Sequence, residues 1–225
     1  MKTVILTSDV EDSTVLEFIA EGMNWFIPQA IPGVNIVAYK PNHFPGTSSE
    51  DLTVHITEAN RHVGASGYHV WVNGTALAYV SPRAAGRLEG HYLAPLWTKP
   101  VLKNGKVVTP AKLIHGAQYT PGIVAVVAHE IIEGLKDPNV QTFCPPNAKG
   151  EEILNEPCDW VFGTYLVHSI KNIPCIFPNV ALPNWSDQTA TSHFDLAGVL
   201  TAPFTLTAHG YGYKKSPGGL VRWIP

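Results

Sequence analysis

A long apolar stretch in the second half of this 225-residue chain constrains its fold more than any other feature. Thr120 is a favourable N-cap for a helix, and Pro121 occupies the first helical position, where its missing N–H costs nothing. Asp137 followed by Pro138 ends the helix. Seven aliphatic side chains lie between these signals: Ile123, Val124, Val126, Val127, Ile131, Ile132 and Leu135. Because they point to all sides of a helix, residues 121–136 are predicted to form a buried helix.

The rest of the chain predicts short elements joined by many turns, since nineteen Gly and nineteen Pro are spread along it. Residues 13–27 show the apolar spacing of a helix, which Pro28 and Pro32 are expected to end. Asn73-Gly74 is the strongest short-range hairpin signal in the sequence. Runs rich in β-branched and aromatic residues predict strands in three regions: residues 34–39, 52–57 and 69–80.

This order of elements predicts one α+β domain over residues 1–225, with a small mixed sheet packed on the buried helix. The N-terminal helix and the sheet are expected within about residues 1–118, and the buried helix spans residues 120–137. Residues 83–118 follow no regular pattern, and an irregular, loop-rich part is expected from residue 138 to the end.

Three ionisable residues share one face of the predicted helix because they are spaced four apart: His129, Glu133 and Asp137. On a buried helix such groups need compensation, and a divalent metal ion supplies it, since imidazole and carboxylate are good zinc ligands. Glu130 directly follows His129, as in the His-Glu-x-x-His helix of metallopeptidases, where this Glu is the general base for zinc-bound water. The pattern therefore predicts zinc ligands at His129 and Glu133, a further candidate ligand at Asp137, and a catalytic base at Glu130.

The motif departs from the metallopeptidase pattern because its second ligand position holds Glu133 instead of His. The alternative is a core histidine at 129 and a helix-end carboxylate at 133, with no metal ion. A second acidic cluster follows at residues 155–159, and it can supply a third ligand from Asp159 or Glu156. The alternative for these two residues is a solvated turn.

The segment leading into the predicted hairpin is the candidate substrate-binding strand, with Gly67, Tyr68 and His69 as its binding residues. Its small residues would let a substrate backbone come close. The other histidines show no paired ligand spacing and are expected to be ordinary surface or core residues. Tyr211 and Tyr213 would place a phenol near an oxyanion, or else serve aromatic packing.

Composition and charge argue against several other classes of protein. The net charge of −3 and the scattered Lys and Arg give no basis for nucleic-acid binding. Residues 1–9 have too short an apolar run for a signal peptide, and no run reaches the length of a transmembrane helix. Cys144, Cys158 and Cys175 are expected to be free, buried thiols, with Cys158 packing beside a candidate ligand. A Cys144–Cys158 disulfide is the alternative in an oxidising setting.

Five ordered blocks between about residues 50 and 204 resemble an uncharacterised family of metallopeptidase-like proteins encoded by bacteriophages and bacteria. The blocks are a strand at 52–57, Gly-Ala-x-Gly-Tyr-His at 64–69 with Ala-Tyr-Val at 78–80, His-Glu-x-x-Glu-x-x-x-Asp-Pro at 129–138, Glu-x-Cys-Asp at 156–159, and Leu-Pro-x-Trp at 182–185 with Asp-x-x-Gly-x-Leu-x-x-Pro-Phe at 195–204. The chain departs from the family after Asp159, where Trp160-Val161-Phe162 replaces Pro-Val-Glu. The resemblance implies a zincin-like fold with a metal site, and a cytoplasmic or virion-associated protein.

Two functional hypotheses follow. In the first, the chain is a zinc-dependent hydrolase of peptide or amide bonds, with a peptide or protein substrate and Glu130 as general base. Its zinc ligands are His129, Glu133 and either Asp159 or Glu156. In the second, it is a non-catalytic phage structural protein that binds other phage structural proteins and keeps a zincin scaffold with a structural or degenerate metal site. Two carboxylate ligands make zinc-bound water less acidic and also suit calcium, the alternative ion, which argues against a fast enzyme.

Overall fold

The computed structural model describes residues 2–10, 13–39, 51–58, 65–82, 101–103, 106–109 and 122–225. Within this part of the chain, no helix has both the length and the apolar character that crossing a membrane requires. The predicted helix cap at Thr120 and Pro121 and most of residues 83–118 lie outside the described residues.

A five-stranded mixed sheet is the framework of the protein, and four of its strands lie in the predicted regions. Its strands are β1 (Lys2–Ser8), β2 (Val34–Ala38), β3 (Leu52–Ile56), β4 (Gly67–Val72) and β5 (Thr75–Val80). They lie in the order β2-β1-β3-β5-β4, in which the first four are parallel and β4, at the edge, is antiparallel to β5. The β4–β5 turn confirms the predicted hairpin, since Asn73 and Gly74 have φ values of 49° and 83°.

Strand β1 lies inside the sheet between β2 and β3, although the sequence analysis assigned no strand there. Val4, Ile5 and Leu6 are all buried, so successive side chains on both faces of the strand lie in the core. A strand covered on both faces has a continuous apolar run in place of the alternating pattern of a half-exposed strand. The run at residues 4–6 therefore lacks the alternation that would identify it as a strand from sequence.

Helix α1 (Ser13–Ala30) begins at the predicted residue but continues three residues past its predicted end. The expectation that Pro28 ends the helix is wrong, because Pro28 lies in the last turn. There it removes only the hydrogen bond that its own N–H would donate, and the Ile31 N–H still donates to the Ile27 carbonyl at 2.8 Å.

Helix α2 (Ile123–Lys136) is the predicted buried helix, and it begins two residues later than expected, with Gly122 as its N-cap. Every residue from Ile123 to Leu135 except His129 is buried. The helix packs against β3, β4 and β5 and also against α1 and a later strand, Ile173–Pro178. Its all-round apolar character follows from this position between the sheet and the C-terminal part.

The C-terminal part is loop-rich, but it also contains two hairpins that the sequence analysis did not predict. They are β8 (Tyr165–Ile170) with β9 (Ile173–Pro178), and β10 (Gly212–Ser216) with β11 (Gly219–Trp223). A further short hairpin, of β6 (Val101–Lys103) and β7 (Lys106–Thr109), precedes α2. The β8–β9 turn uses Lys171 and Asn172 at φ values of 48° and 66°, a less recognisable pair than Asn-Gly. A second core cluster supports this part, with the rings of Trp160 and Trp185 stacked at 3.7 Å.

Candidate metal centre

His129 and Glu133 are in direct contact on one face of α2, as their spacing predicts. The His129 Nε2 atom lies 2.8 Å from Oε2 of Glu133 and 3.4 Å from Oδ1 of Asp159. The His129 side chain is 18% exposed, whereas those of Glu133 and Asp159 are 5% and 9% exposed. The ring nitrogen therefore faces two buried carboxylates from a position that is still open to the surface.

Glu133 also ties the downstream acidic segment to the helix. Its Oε1 atom accepts hydrogen bonds from the backbone N–H groups of Cys158 and Asp159, at 3.2 and 3.3 Å. Burial and the negative charges of Asp159 and Glu130 raise the pKa of Glu133 well above its usual range. A short 3-10 helix (Asp159–Val161) begins at the second of the two residues that donate to Glu133.

Glu156 and Asp159 are both buried, so the alternative of a solvated turn is wrong. They face different histidines: Asp159 contacts His129, whereas Oε1 of Glu156 lies 3.7 Å from Nε2 of His69. Burial and the charge of Glu133 raise the pKa of Glu156 to about 11. At neutral pH the metal-free Glu156 carboxyl group therefore keeps its proton and donates it in a hydrogen bond to Glu133.

His69, on β4, is bonded to groups of the site itself. Its Nε2 atom lies 3.0 Å from the backbone carbonyl oxygen of Asp137, and its Nδ1 atom lies 3.6 Å from Oε2 of Glu130. Because a carbonyl oxygen can only accept, Nε2 carries a proton. Burial alone would lower the pKa of His69, but the side-chain contact with Glu130, just beyond hydrogen-bond distance, and the charges of Glu156 and Glu130 leave it raised. Its predicted role in substrate binding stays a prediction.

At Gly67, β4 comes very close to α2. A Cβ atom added at Gly67 would lie 2.5 Å from Oε1 and 2.8 Å from Cγ of Glu130, and 2.8 Å from Cγ1 of Val126. Only glycine lets the strand pass this close to the candidate base. Tyr68 stacks on Tyr79 of β5, with ring centroids 5.1 Å apart. The predicted strand therefore lies beside the helix face that carries Glu130.

The carboxylate of Asp137 has a different environment from that of a metal ligand. Its Oδ1 atom accepts the backbone N–H groups of Gln141 and Thr142 at 2.8 and 2.7 Å, which fixes the chain as it leaves α2. Asp137 is fully buried and its backbone carbonyl meets His69. The structure does not bring Asp137 into the group around His129, although its Oδ2 atom is buried without a hydrogen-bond partner, and its predicted ligand role stays a prediction.

The described residues form two compact groups that fit a divalent cation. One consists of His129, Glu133 and Cys158 and the other of His69, Glu133 and Glu156, with the ligand atoms of each group within 4.8 Å of one another. Four carboxylate oxygens around these groups are buried and have no hydrogen-bond partner: Oε2 of Glu130, Oδ2 of Asp137, Oε2 of Glu156 and Oδ1 of Asp159. Buried carboxylates without partners are costly, and a bound cation is a common compensation for them. The donor set and the unpartnered oxygens together fit a bound metal ion.

Two pockets, of about 340 and 360 Å³, meet at this site. Both are lined by Gly67, His129, Glu130 and Tyr211. The first continues along apolar walls formed by Ala125, Val126, Phe162, Tyr165 and Pro178. The second continues along polar groups that include Tyr68, His69, Glu133, Glu156, Asp159 and Tyr213. A molecule lying across the site would therefore contact both pockets, one on either side of His129 and Glu130.

Two site residues were given only minor roles by the sequence analysis. The Tyr211 hydroxyl donates to Asp159, and burial together with the charge of Asp159 raises the pKa of Tyr211. Its ring also packs against the rings of Phe162 and Tyr213, with centroids 6.1 Å away in each case, while its predicted role near an oxyanion stays a prediction. Cys158 was predicted to serve packing, but its thiol lies in the site. The only sequence signal for this was its position next to Asp159.

Comparisons of the chain with protein-family models, with curated proteins and with solved structures give no match. The functional assignment of this site therefore depends on its geometry and on the sequence motif.

Proposed function

We propose that the chain is a zincin-like, metal-dependent hydrolase of peptide or amide bonds. His129 and Glu133 would hold the cation, with Asp159 as the candidate third ligand nearest to His129. Glu156 would support the site from the side of His69. A bound divalent cation would supply Lewis-acid polarisation of the substrate carbonyl and make a water molecule easier to deprotonate.

The observation that carries the proposal is the position of Glu130. Its carboxylate is buried at the junction of the two pockets, and Oε2 has no hydrogen-bond partner there. Glu130 is next to His129 in sequence and contributes to the same two pockets, but it belongs to neither compact ligand group. It would take a proton from the attacking water and deliver it to the leaving nitrogen as the C–N bond breaks. A buried carboxylate with a free oxygen beside a cation site suits this role.

The strand beside the site supports a peptide-like substrate. β4 is the last strand in the sheet order, and Gly67 brings its backbone against the candidate base. An extended substrate lying along this edge would place successive side chains towards the two pockets, since strand residues alternate in direction. Substrates of the hydrolase would then be peptides or protein segments in an extended conformation.

The alternative proposal is a non-catalytic protein that keeps this scaffold, such as a phage virion component with phage structural proteins as partners. Two observations support this alternative: the family resemblance of the sequence and the anionic character of the site. Carboxylate ligands reduce the effective charge of a cation and so make its water less acidic.

Glu130→Gln is the variant that separates the two proposals, because it keeps the size of the side chain and removes the base. We expect the variant to bind the wild-type amount of zinc and to lose peptide hydrolysis by about 100-fold or more, the usual contribution of a general base. The matched control is Glu21→Gln, which should retain activity. Glu21 is half-exposed, pairs with Lys171 and is far from the site residues in sequence.

The assay is cleavage of a peptide library by zinc-loaded protein, read by mass spectrometry, with zinc content measured on the same samples. A wild-type protein that holds zinc and cleaves nothing in the library supports the scaffold proposal. Equal cleavage by wild type and Glu130→Gln would refute the role of Glu130 while leaving a metal site in place.

A further inference from the structure

Cys158 differs from the other two cysteines in its surroundings. The Cys175 thiol donates to the Ile173 carbonyl at 3.5 Å, and the Cys144 thiol lies 3.8 Å from Oδ1 of Asn155. These are ordinary contacts of buried thiols. Cys158 is equally buried, at 2% exposure, but its sulfur belongs to the compact group formed with His129 and Glu133.

The backbone holds Cys158 in this place independently of its side chain. The Cys158 N–H donates to Oε1 of Glu133, and the following N–H, from Asp159, donates to the same oxygen. The residue therefore sits over the carboxylate that also contacts His129. Cys158 also lines the pocket that His129 and Glu130 share, so the sulfur borders the space in which a cation would meet its ligands.

The charges around this sulfur are those of a cation site. Four buried carboxyl groups surround this sulfur: Glu133, Asp159, Glu130 and Glu156. Asp159 is a competitor for the same coordination position, but it belongs to neither compact group, and its carboxylate already accepts the Tyr211 hydroxyl.

We propose that Cys158 is a ligand of the cation, through its thiolate, together with His129 and Glu133. This inference rests on the metal site of the proposed function and goes beyond it by assigning the kind of ion. As the bond between Sγ and the cation forms, the S–H bond breaks and the proton leaves to solvent. Thiolate ligands select zinc and other borderline or soft ions, whereas calcium and magnesium take oxygen ligands. A thiolate in the shell therefore decides between the zinc and calcium alternatives in favour of zinc.

Cobalt(II) is the probe, because it replaces zinc and gives a near-ultraviolet charge-transfer band when it is bound to thiolate. Full-length protein is stripped with a chelator and titrated with cobalt(II), with bound metal measured separately. We expect one equivalent of cobalt to produce the band in the wild type and in Cys175→Ala, the equally buried control. Cys158→Ala should lose the band and bind cobalt at least about tenfold more weakly, since even outer partners of metal ligands contribute that much.

A double variant, Cys144→Ala with Cys175→Ala, leaves Cys158 as the sole cysteine of the chain and should retain the full band. It keeps the test decisive if Cys158→Ala does not fold. Cobalt bound without a charge-transfer band overturns the ligand role of Cys158 but leaves the metal site of the proposed function intact. Absence of cobalt and zinc binding overturns both. Displacement of bound zinc by a modest excess of calcium would also overturn the inference.

Discussion

Gly67→Ala tests the close approach of β4 to the candidate base. The added Cβ would lie 2.5 Å from Oε1 of Glu130, 2.8 Å from its Cγ and 2.8 Å from Cγ1 of Val126. The oxygen is the end of a flexible side chain and can turn away, but Cγ and the valine methyl group are held by a buried helix. Relief therefore requires a shift of the Glu130 side chain or a separation of the strand from the helix.

The magnitude follows from these contacts. Ordinary contact begins at 3.4 Å, so Oε1 of Glu130 must move by about 1 Å. A displacement of this size in a catalytic group can cost about 100-fold in rate. Overpacking costs about 1–3 kcal/mol, and the reduced freedom of the unfolded chain returns about 0.4–1 kcal/mol. We expect a net loss of roughly 1–2 kcal/mol, or about 2–8 °C in Tm for a chain of this size.

The assay combines thermal unfolding, zinc content and peptide cleavage. Gly218→Ala is the matched control, because an added Cβ at that position meets no atom within 4 Å. We expect Gly67→Ala to keep its zinc, since neither cation ligand on α2 is touched, while Tm and cleavage rate fall. A Gly67→Ala protein with the Tm and cleavage rate of the wild type would refute the steric argument. Loss of zinc in this variant would show that the strand also supports the metal ligands.

Two further predictions concern the cation and the protons of the site. His129→Ala should lose bound zinc and the stabilisation that zinc gives the wild type, about 2.7 kcal/mol when free zinc is 100 times Kd, which thermal unfolding measures. His55→Ala is the control, and wild-type zinc content in His129→Ala would contradict the site. The second prediction concerns the metal-free protein, in chelator. The pKa of Glu156 is about 11 in the folded protein and near 4.5 in the unfolded chain. Between these pH values the unfolded state binds fewer protons, so the free energy of unfolding should fall as pH rises. Urea unfolding at several pH values should show this fall, and the dependence of the free energy of unfolding on pH should be weaker in Glu156→Gln. The same pH dependence in Glu156→Gln and in the wild type would count against the prediction.

The sequence predicts the features of this protein that local patterns encode. Helix α2 follows from its apolar run, and the contact between His129 and Glu133 follows from helical spacing alone. The hairpin at Asn73 follows from turn chemistry. In each case the residues that determine the structure are neighbours along the chain, so no knowledge of tertiary contacts is needed.

Features that depend on distant partners were not predictable in the same way. Glu156 faces His69 and Asp159 faces His129 because of the way residues 156–159 dock on α2. Two backbone hydrogen bonds to Glu133 fix this docking. The same docking turns the Cys158 sulfur towards the site. Strand β1 was missed for a related reason, since its burial on both faces comes from elements far along the chain.

The charges of the site affect metal affinity and reactivity in opposite directions. Glu130, Glu133 and Asp159 are buried carboxylates, and the described ion-pair partners around them are the histidines 69 and 129, so a divalent cation removes a large electrostatic cost. Each anionic ligand that strengthens binding also reduces the acidity of the water bound to the cation. A hydrolase with this site is therefore expected to hold its cation firmly and to turn over slowly. A low rate alone would not favour the scaffold proposal, and only the difference between Glu130→Gln and wild type separates a slow enzyme from a protein without activity.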